Sequence, residues 1–328
     1  MRLDTIPRVK FAHLPTAVEF MPRLSTYLGG PRLFVKRDDQ TGLASGGNKT
    51  RKLEFLIAEA LHSGARTLVT AGATQSNHCR QTAAVAAHYG LDCILVLSGS
   101  KPQARTGNLL LDQMFGAEIV WAEGNQRDLI LQRVFREAEQ NGRFPYLIPY
   151  GGSSPTGAAG YVYAIHELME QWQLIASQPD WIVFASSSGG THAGLVVGSR
   201  LYGYSGRVLG ISIDETAQIL KDRVAKLSTA TAHHLGIDLE FNAMDILVNA
   251  DYLGAGYGMV GESEREAIKL FARLEGLLLD PVYTGRAAGG MLDLIHKGYF
   301  KQDEAVLFWH TGGLPALFAD RYADMYHD

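Results

Sequence analysis

Short apolar runs alternate with segments of helical period along almost all of this 328-residue chain. Leu33-Phe34-Val35, Thr67 to Thr70, Cys93 to Leu97, Glu118 to Trp121 and Tyr146 to Ile148 read as strands, and Trp181 to Ala185, Val208 to Ile213 and Val306 to Trp309 as a second set. Helices fall between them, at about Thr50 to His62, Asn77 to His88, Arg105 to Phe115 and Arg127 to Glu139. Strands separated by helices of roughly ten to fifteen residues imply parallel pairing, with helices covering both sheet faces. The predicted fold class is α/β, built from parallel sheets. Ligands in such sheets bind outside the carboxyl ends of the strands, so the loops after strands are where the chemistry should lie. The stretch Ser228 to Asn249 has no clear period.

The length exceeds the roughly 250–300 residues at which a single core stops growing, which predicts two lobes. With 46% hydrophobic and 20% charged residues there is ample apolar material for a core. A net charge of −4 offers no broad basic field, so neither nucleic acid nor an anionic membrane is an expected partner. Cys79 and Cys93 are the only cysteines, which gives neither a secreted disulfide framework nor zinc spacing and suits a reducing cytoplasm. Met1 to Lys10 carries charges and prolines instead of an apolar leader, and no apolar run approaches the ~20 residues that span a bilayer.

Ser186-Ser187-Ser188-Gly189-Gly190-Thr191-His192-Ala193-Gly194 directly follows a strand and opens a helix of small residues. Glycines let the backbone turn tightly against an anion, and the free N–H groups of a helix start favour phosphate. Ser187, Ser188, Gly189, Gly190 and Thr191 are therefore candidate phosphate ligands, with a plain strand-to-helix turn as the alternative. The pattern is not Gly-x-Gly-x-x-Gly, which disfavours a dinucleotide. Gly42 to Thr50 nearly matches the P-loop, Gly-x-x-x-x-Gly-Lys-Ser/Thr, but Asn48 stands between Gly47 and Lys49 and shifts the lysine by one position. An ATP site would also need a magnesium carboxylate on a later strand, for which Asp214 is the one offer. A lysine among small residues at a helix start suits a Schiff base with a cofactor aldehyde, provided burial or nearby cations lower its pKa. Arg51 and Lys52 read as a solvated helix face.

Gly72 to His78 follows another strand and puts Ser76 at or near a helix N-cap. The free N–H groups there suit a substrate carboxylate, although a simple cap is the commoner role. His78 and Cys79 have no visible partner and read as packing or half-exposed positions. Asp280-Pro281-Val282-Tyr283-Thr284-Gly285 and His310-Thr311-Gly312-Gly313 each precede a helix. Tyr283 is a candidate acid–base group, or else a buried tyrosine bonded to backbone. Tyr257, between two glycines on a loop, is a candidate functional aromatic.

In combination these segments resemble the fold type II pyridoxal 5′-phosphate (PLP) enzymes, and among them the family of D-cysteine desulfhydrase and 1-aminocyclopropane-1-carboxylate (ACC) deaminase, which includes L-cysteate sulfo-lyase. The resemblance runs from Pro15-Thr16 and Lys36-Arg37-Asp38-Asp39 to Thr311-Gly312-Gly313. It rests on Gly46-Gly47-Asn48-Lys49, Gln75-Ser76-Asn77-His78, Asp280 to Gly285 and His310 to Gly313. It implies a tryptophan-synthase-β-like fold of two three-layer lobes with the active site between them: a larger lobe from residues 1–50 and 161–328, and a smaller one from 51–160. It also implies PLP on Lys49, Asn77 at the pyridoxal 3-hydroxyl, Ser187 to Thr191 at the phosphate, and a neutral Thr311 hydroxyl facing the pyridine nitrogen. Ser76, Asn77 and His78 would receive the substrate carboxylate, with Ser76 assisting proton transfer. Tyr257 and Tyr283 would line the substrate side, and the assembly would be a homodimer.

The implied activity is β-elimination from a small sulfur amino acid, D-cysteine giving pyruvate, sulfide and ammonia, with Lys49 as a base at Cα. Thr284 stands where ACC deaminases carry Glu, which points to the desulfhydrase branch. L-Cysteate sulfo-lyase, giving sulfite, is an alternative in which Phe11 to Thr16 and Thr74 to His78 look equally at home. ACC deaminase is a further alternative, and a P-loop-like nucleotide-binding protein is the rival from another class. The segment Ser98 to Asn108 is shorter than in many desulfhydrases and bears on the substrate entrance.

Overall fold

The computed structural model describes residues 6–175 and 178–326, so the first five residues of the Met1 to Lys10 segment lie outside it. In chain order the elements run β1 (Val18–Phe20), α1 (Pro22–Leu28), β2 (Arg32–Lys36), α2 (Asn48–His62), β3 (Thr67–Ala73), α3 (Asn77–Tyr89), β4 (Asp92–Ser98), α4 (Gly107–Met114), β5 (Glu118–Ala122), α5 (Arg127–Gln140) and β6 (Pro145–Leu147). They continue with α6 (Pro155–Ile175), β7 (Trp181–Ser186), α7 (Gly190–Tyr202), β8 (Arg207–Ser212), α8 (Ala217–His234), β9 (Leu247–Asn249), α9 (Glu262–Glu275), α10 (Thr284–His296) and β10 (Ala305–Trp309). Each strand expected from the sequence is present. The unreadable stretch from Ser228 holds the end of α8, a short 3-10 turn and the edge strand β9.

Two sheets result, a six-stranded one in the order β1-β2-β10-β7-β8-β9 and a four-stranded one in the order β5-β4-β3-β6. The smaller is parallel throughout. The larger departs from the expected all-parallel pairing at one edge, where β1 runs antiparallel to β2. A helix of only seven residues joins the two, too short to serve as a crossover that would return the chain in the same direction.

The uninterrupted apolar runs are explained by burial on both sheet faces. Leu33, Val35, Val183, Val306 and Phe308 enter one core, while Phe34, Ile182, Phe184, Leu307 and Trp309 enter the core on the opposite face. The smaller sheet repeats the pattern, with Leu68, Leu95 and Leu97 on one side and Val69, Ile94 and Val96 on the other. Helix α2 belongs to both halves. Phe55 packs with α6 and α7, whereas Leu53, Leu56 and Ile57 pack under the smaller sheet.

The same helix corrects the expectation of a solvated face, because Arg51 and Lys52 are 2% and 1% exposed. Arg51 donates to both oxygens of Asp38, at 2.9 and 2.8 Å, and to both oxygens of Glu167, at 2.9 and 2.8 Å. Tyr161 and Thr16 donate to the remaining lone pairs of Asp38, and Lys36 pairs with Glu167. Helix α2, the end of β2 and α6 are thus joined by a buried, bidentate charge network. Burial pulls the Asp38 carboxyl upward, but Arg51 and Lys36 outweigh it and hold the group at about 2.

Arg51→Ala leaves two carboxylates without their partner and is expected to cost about 3–5 kcal/mol of unfolding free energy. Glu19→Ala, at the exposed end of the Arg37 pair, should cost less than about 1 kcal/mol. Because the folded pKa of Asp38 lies below its ordinary value, its contribution is present above about pH 4 and lost as pH falls through about 2. Urea midpoints measured across that window should show an acid-linked loss in the wild type that is absent from Arg51→Ala.

Candidate active site

The site lies where the carboxyl ends of strands from both sheets meet, as parallel sheets require. The loop after β2 leads to Lys49, the end of β3 leads to Ser76 and Asn77, β7 leads to Ser187, and β10 leads to Thr311. All of these residues border one cavity, together with Tyr150, Tyr283 and His192. Among the described residues that line it there is no carboxylate.

Lys49 stands in the first turn of α2. The loop before it is tightly determined: Gly46 has φ 63°, and a Cβ there would lie 2.0 Å from the Asp39 carbonyl oxygen. Leu43, Ala44 and Ser45 all take left-handed backbone, a local strain held by the surrounding structure. Asn48, the residue that breaks the P-loop pattern, links the two main motifs. Its amide oxygen accepts from the Lys49 ammonium at 2.9 Å, and its amide nitrogen donates to Thr191 at 3.0 Å. Burial, and then the Arg80 cation, lower the Lys49 amine to about 8, with Asp280 opposing.

The opposite end of the cavity is built for an anion. Helix α7 begins there behind Gly189, and its first-turn N–H groups and dipole favour negative charge. A Cβ on Gly190 would lie 2.6 Å from Ser153 Oγ and 2.9 Å from Lys52 Nζ, so only glycine admits that approach. Ser153 accepts from the Gly190 N–H and donates to Ser188, while Ser187 donates to Asp214. Lys52, absent from the sequence-derived set, is fully enclosed, and its ammonium makes one hydrogen bond, to the Gly151 carbonyl at 3.1 Å. Burial and then Lys49 push its pKa well below the usual lysine value. Two enclosed amines with lowered pKa border one cavity in which no described lining residue is a carboxylate, which fits a group that brings a phosphate to pair with one amine and an aldehyde to react with the other.

On the third side α3 begins. Ser76 is its N-cap, with Oγ accepting from the Cys79 N–H at 3.2 Å, and it lines the cavity as well, so both expected roles are compatible with its position. His78 Nε2 meets Thr70 Oγ1 at 2.9 Å, and burial, then Lys49 and Lys52, keep the ring neutral. Burial pushes the Cys79 thiol far up, in keeping with a packing role. Tyr283 lines the cavity. Tyr257 does not line it but lies behind, its hydroxyl 2.5 Å from that of Tyr283. Burial raises both phenols well above the usual value. Thr284 is also off the cavity wall, its hydroxyl donating to Asp280 Oδ1 at 2.8 Å and accepting from the Asp280 N–H at 2.7 Å.

A lysine between two helix N-termini, where the carboxyl ends of parallel strands from two sheets meet, defines the class as a PLP enzyme of fold type II. The model of the pyridoxal-phosphate-dependent enzyme family matches residues 9–312, and the chain belongs to that family. It is 44% identical over 323 residues, 97% of each chain, to D-cysteine desulfhydrase of Salmonella typhimurium. A solved ACC deaminase homologue matches with a TM-score of 0.89 and 37% identity, covering 98% of this chain and 96% of the other. A fungal L-serine ammonia-lyase from Rhizomucor miehei shares the fold at a TM-score of 0.69 and 16% identity, over 96% and 98% of the two chains. Family membership removes the nucleotide-binding alternative.

Because burial and Arg80 disfavour the ammonium, the neutral amine of Lys49 predominates above about pH 8. In the apoprotein, acylation of Lys49 followed by peptide mass spectrometry should show a midpoint near that pH, well below the ~10.4 of exposed lysines. A Lys49 midpoint equal to that of surface lysines would contradict the electrostatics described.

Proposed function

We propose that the protein is a PLP-dependent carbon–sulfur lyase that converts D-cysteine and water to pyruvate, sulfide and ammonia. One observation carries the reading: the pKa-lowered amine of Lys49 shares a cavity with two helix N-termini, one suited to a cofactor phosphate and one to an amino-acid carboxylate. The full-length likeness to D-cysteine desulfhydrase supplies the substrate.

In this reading Lys49 holds the cofactor. Ser187, Ser188, Gly189, Gly190, Thr191 and Lys52 hold its phosphate, Asn77 meets its 3-hydroxyl, and Thr311 meets its ring nitrogen. When bound, PLP supplies the electron sink for bond cleavage next to the substrate nitrogen. The α3 N-terminus, through Ser76, Asn77 and His78, orients the substrate carboxylate. Lys49 in its neutral form would take the proton at Cα, with Ser76, which lines the same cavity, as its helper. Tyr283, whose high pKa keeps it protonated, donates to the departing sulfur, and Tyr257 steadies its hydroxyl. Position 284 is a threonine, and no described residue of the cavity wall is a carboxylate, so the carboxylate expected for opening a cyclopropane ring is missing from both places.

The two sheets support the lobe division of 1–50 with 161–328 against 51–160, since β3 to β6 all fall in the second range. We place the enzyme in the cytoplasm as a homodimer. Among the described residues no helix is long and apolar enough to cross a membrane, and light scattering tests the assembly.

The holoenzyme should show a visible cofactor band that is lost in Lys49→Ala, and should release pyruvate and sulfide from D-cysteine. Sulfite from L-cysteate, or 2-oxobutyrate from ACC, at the higher kcat/KM would replace D-cysteine as the substrate. Tyr283→Phe should lower kcat on D-cysteine by about 100-fold with the cofactor band retained, and Tyr257→Phe by less. Equal kcat for wild type and Tyr283→Phe would remove the tyrosine from proton transfer.

A further inference from the structure

Arg80, on α3, is fully buried, yet among the described residues its guanidinium donates only to amide and backbone oxygens and to no carboxylate. Its Nε has no partner, and Asp112 nearby on α4 has neither oxygen hydrogen-bonded. A cation kept in this state is costly and weak evidence for a stabilising role. Its hydrogen bonds point to a different one. Nη1 donates to Asn108 Oδ1 at 2.9 Å and to Asn77 Oδ1 at 3.2 Å, and Nη2 donates to the Gly46 carbonyl at 2.7 Å.

Arginine has donors and no acceptor, so it dictates which way its amide neighbours face. Asn108 has to present its oxygen to Arg80, which turns its amino group toward the Gln75 carbonyl and Asn77, each at 2.9 Å. Asn77 then has to present its oxygen to two donors, and its own amino group is left for the cavity that it lines. Reversing the Asn77 amide would set an amino group against two N–H donors. On the other side Arg80, together with Gln81, grips the Gly46 carbonyl three residues before Lys49.

We propose that Arg80 is a positioning residue of this site, locking the Asn77 amide with its N–H₂ toward the cavity and fixing the loop that carries Lys49. The inference rests on the reading of Lys49 and Asn77 as cofactor residues. The cation also acts at a distance. Lys49 is faced by Arg80 and His78 from α3, by Lys52 from its own helix, and by Asp280 and Tyr283 from the loop before α10. Of these, Arg80 is the largest charged contributor to the lowered amine.

Charge and fork separate by substitution. Two quantities should be measured on wild type, Arg80→Gln, Arg80→Lys and Asn108→Ala: the pH midpoint of Lys49 acylation in the apoprotein, and the affinity for PLP by absorbance titration. Arg80→Gln should raise the midpoint by about one pH unit and weaken PLP binding by about tenfold. Arg80→Lys should keep the midpoint but still bind PLP about tenfold more weakly, because an ammonium cannot reproduce the fork. Asn108→Ala should weaken PLP binding without moving the midpoint. Wild-type PLP affinity in both Arg80→Lys and Asn108→Ala would overturn the inference. If Arg80→Gln does not fold, Asn108→Ala decides alone, unchanged affinity counting against. A wild-type protein that takes up no PLP overturns the cofactor reading and this inference together.

Discussion

The Asp38–Arg51–Glu167 network is the fixed point from which the site is built. Arg51 lies two residues beyond Lys49 and next to Lys52 on α2. Its fork ties that helix to the end of β2 on one side and to α6 on the other. Asp38 also accepts the Gly47 N–H through its backbone carbonyl, so the anchor reaches the residue that caps α2. A helix held this way cannot slide or roll, and the direction in which Lys49 and Lys52 enter the cavity is fixed. Bidentate geometry matters here, since a single point charge would locate the helix without orienting it.

Around that anchor the charges are sorted by compartment. The acidic partners gather behind α2, where Asp38 and Glu167 meet Lys36 and Arg51. The cavity side holds Lys49 and Lys52, with Arg80 behind Asn77, no carboxylate among the described lining residues, and two helix N-termini at its edge. Each feature alone would be ambiguous, because a helix start often carries only a cap and a buried lysine is often paired. Together they make an enclosed volume that offers two amines and two helix N-termini to an anion, and enclosure strengthens those interactions. The low pKa of Lys49 follows from the same arrangement that favours a phosphate and a carboxylate.

Much of this was legible in the sequence, for reasons that can be named. Glycine clusters after apolar runs are forced by backbone approach, so Gly46 to Lys49 and Ser187 to Thr191 announced themselves. Buried parallel strands read as continuous Val, Ile and Leu, so the sheets did too. What was missed depends on partners distant in sequence. Arg51 and Lys52 look like a solvated pair beside Lys49 because nothing local reveals Glu167, 116 residues away. Asn48 looked like an intrusion into a P-loop until its bridge to Thr191, across 143 residues, was visible. The Tyr257–Tyr283 contact joins a glycine loop to a helix start across 26 residues, which placed one tyrosine behind the other instead of side by side. The one local signal was the apolar run that follows the pair, Leu53 and then Phe55 to Ala58, broken only by Glu54. Leu53, Phe55, Leu56 and Ile57 are all buried and leave the first turns of α2 enclosed, while Glu59, Leu61 and His62 near its end are exposed.

The structure also shows why two neighbouring residues divide the chemistry. Tyr283 and Thr284 share the turn capped by Asp280, whose carboxylate accepts the N–H groups of Val282, Tyr283 and Thr284. That cap orients the turn so that Tyr283 meets the cavity and Thr284 turns inward. A threonine suits the inward place because its short hydroxyl closes a two-way exchange with Asp280 and leaves no buried polar atom unmet. A glutamate there would face the Asp280 carboxylate at close range, and like charges in a buried setting force one of them to take a proton or move away. One cap residue outside the cavity thus fixes both neighbours, Tyr283 on the wall and Thr284 behind it.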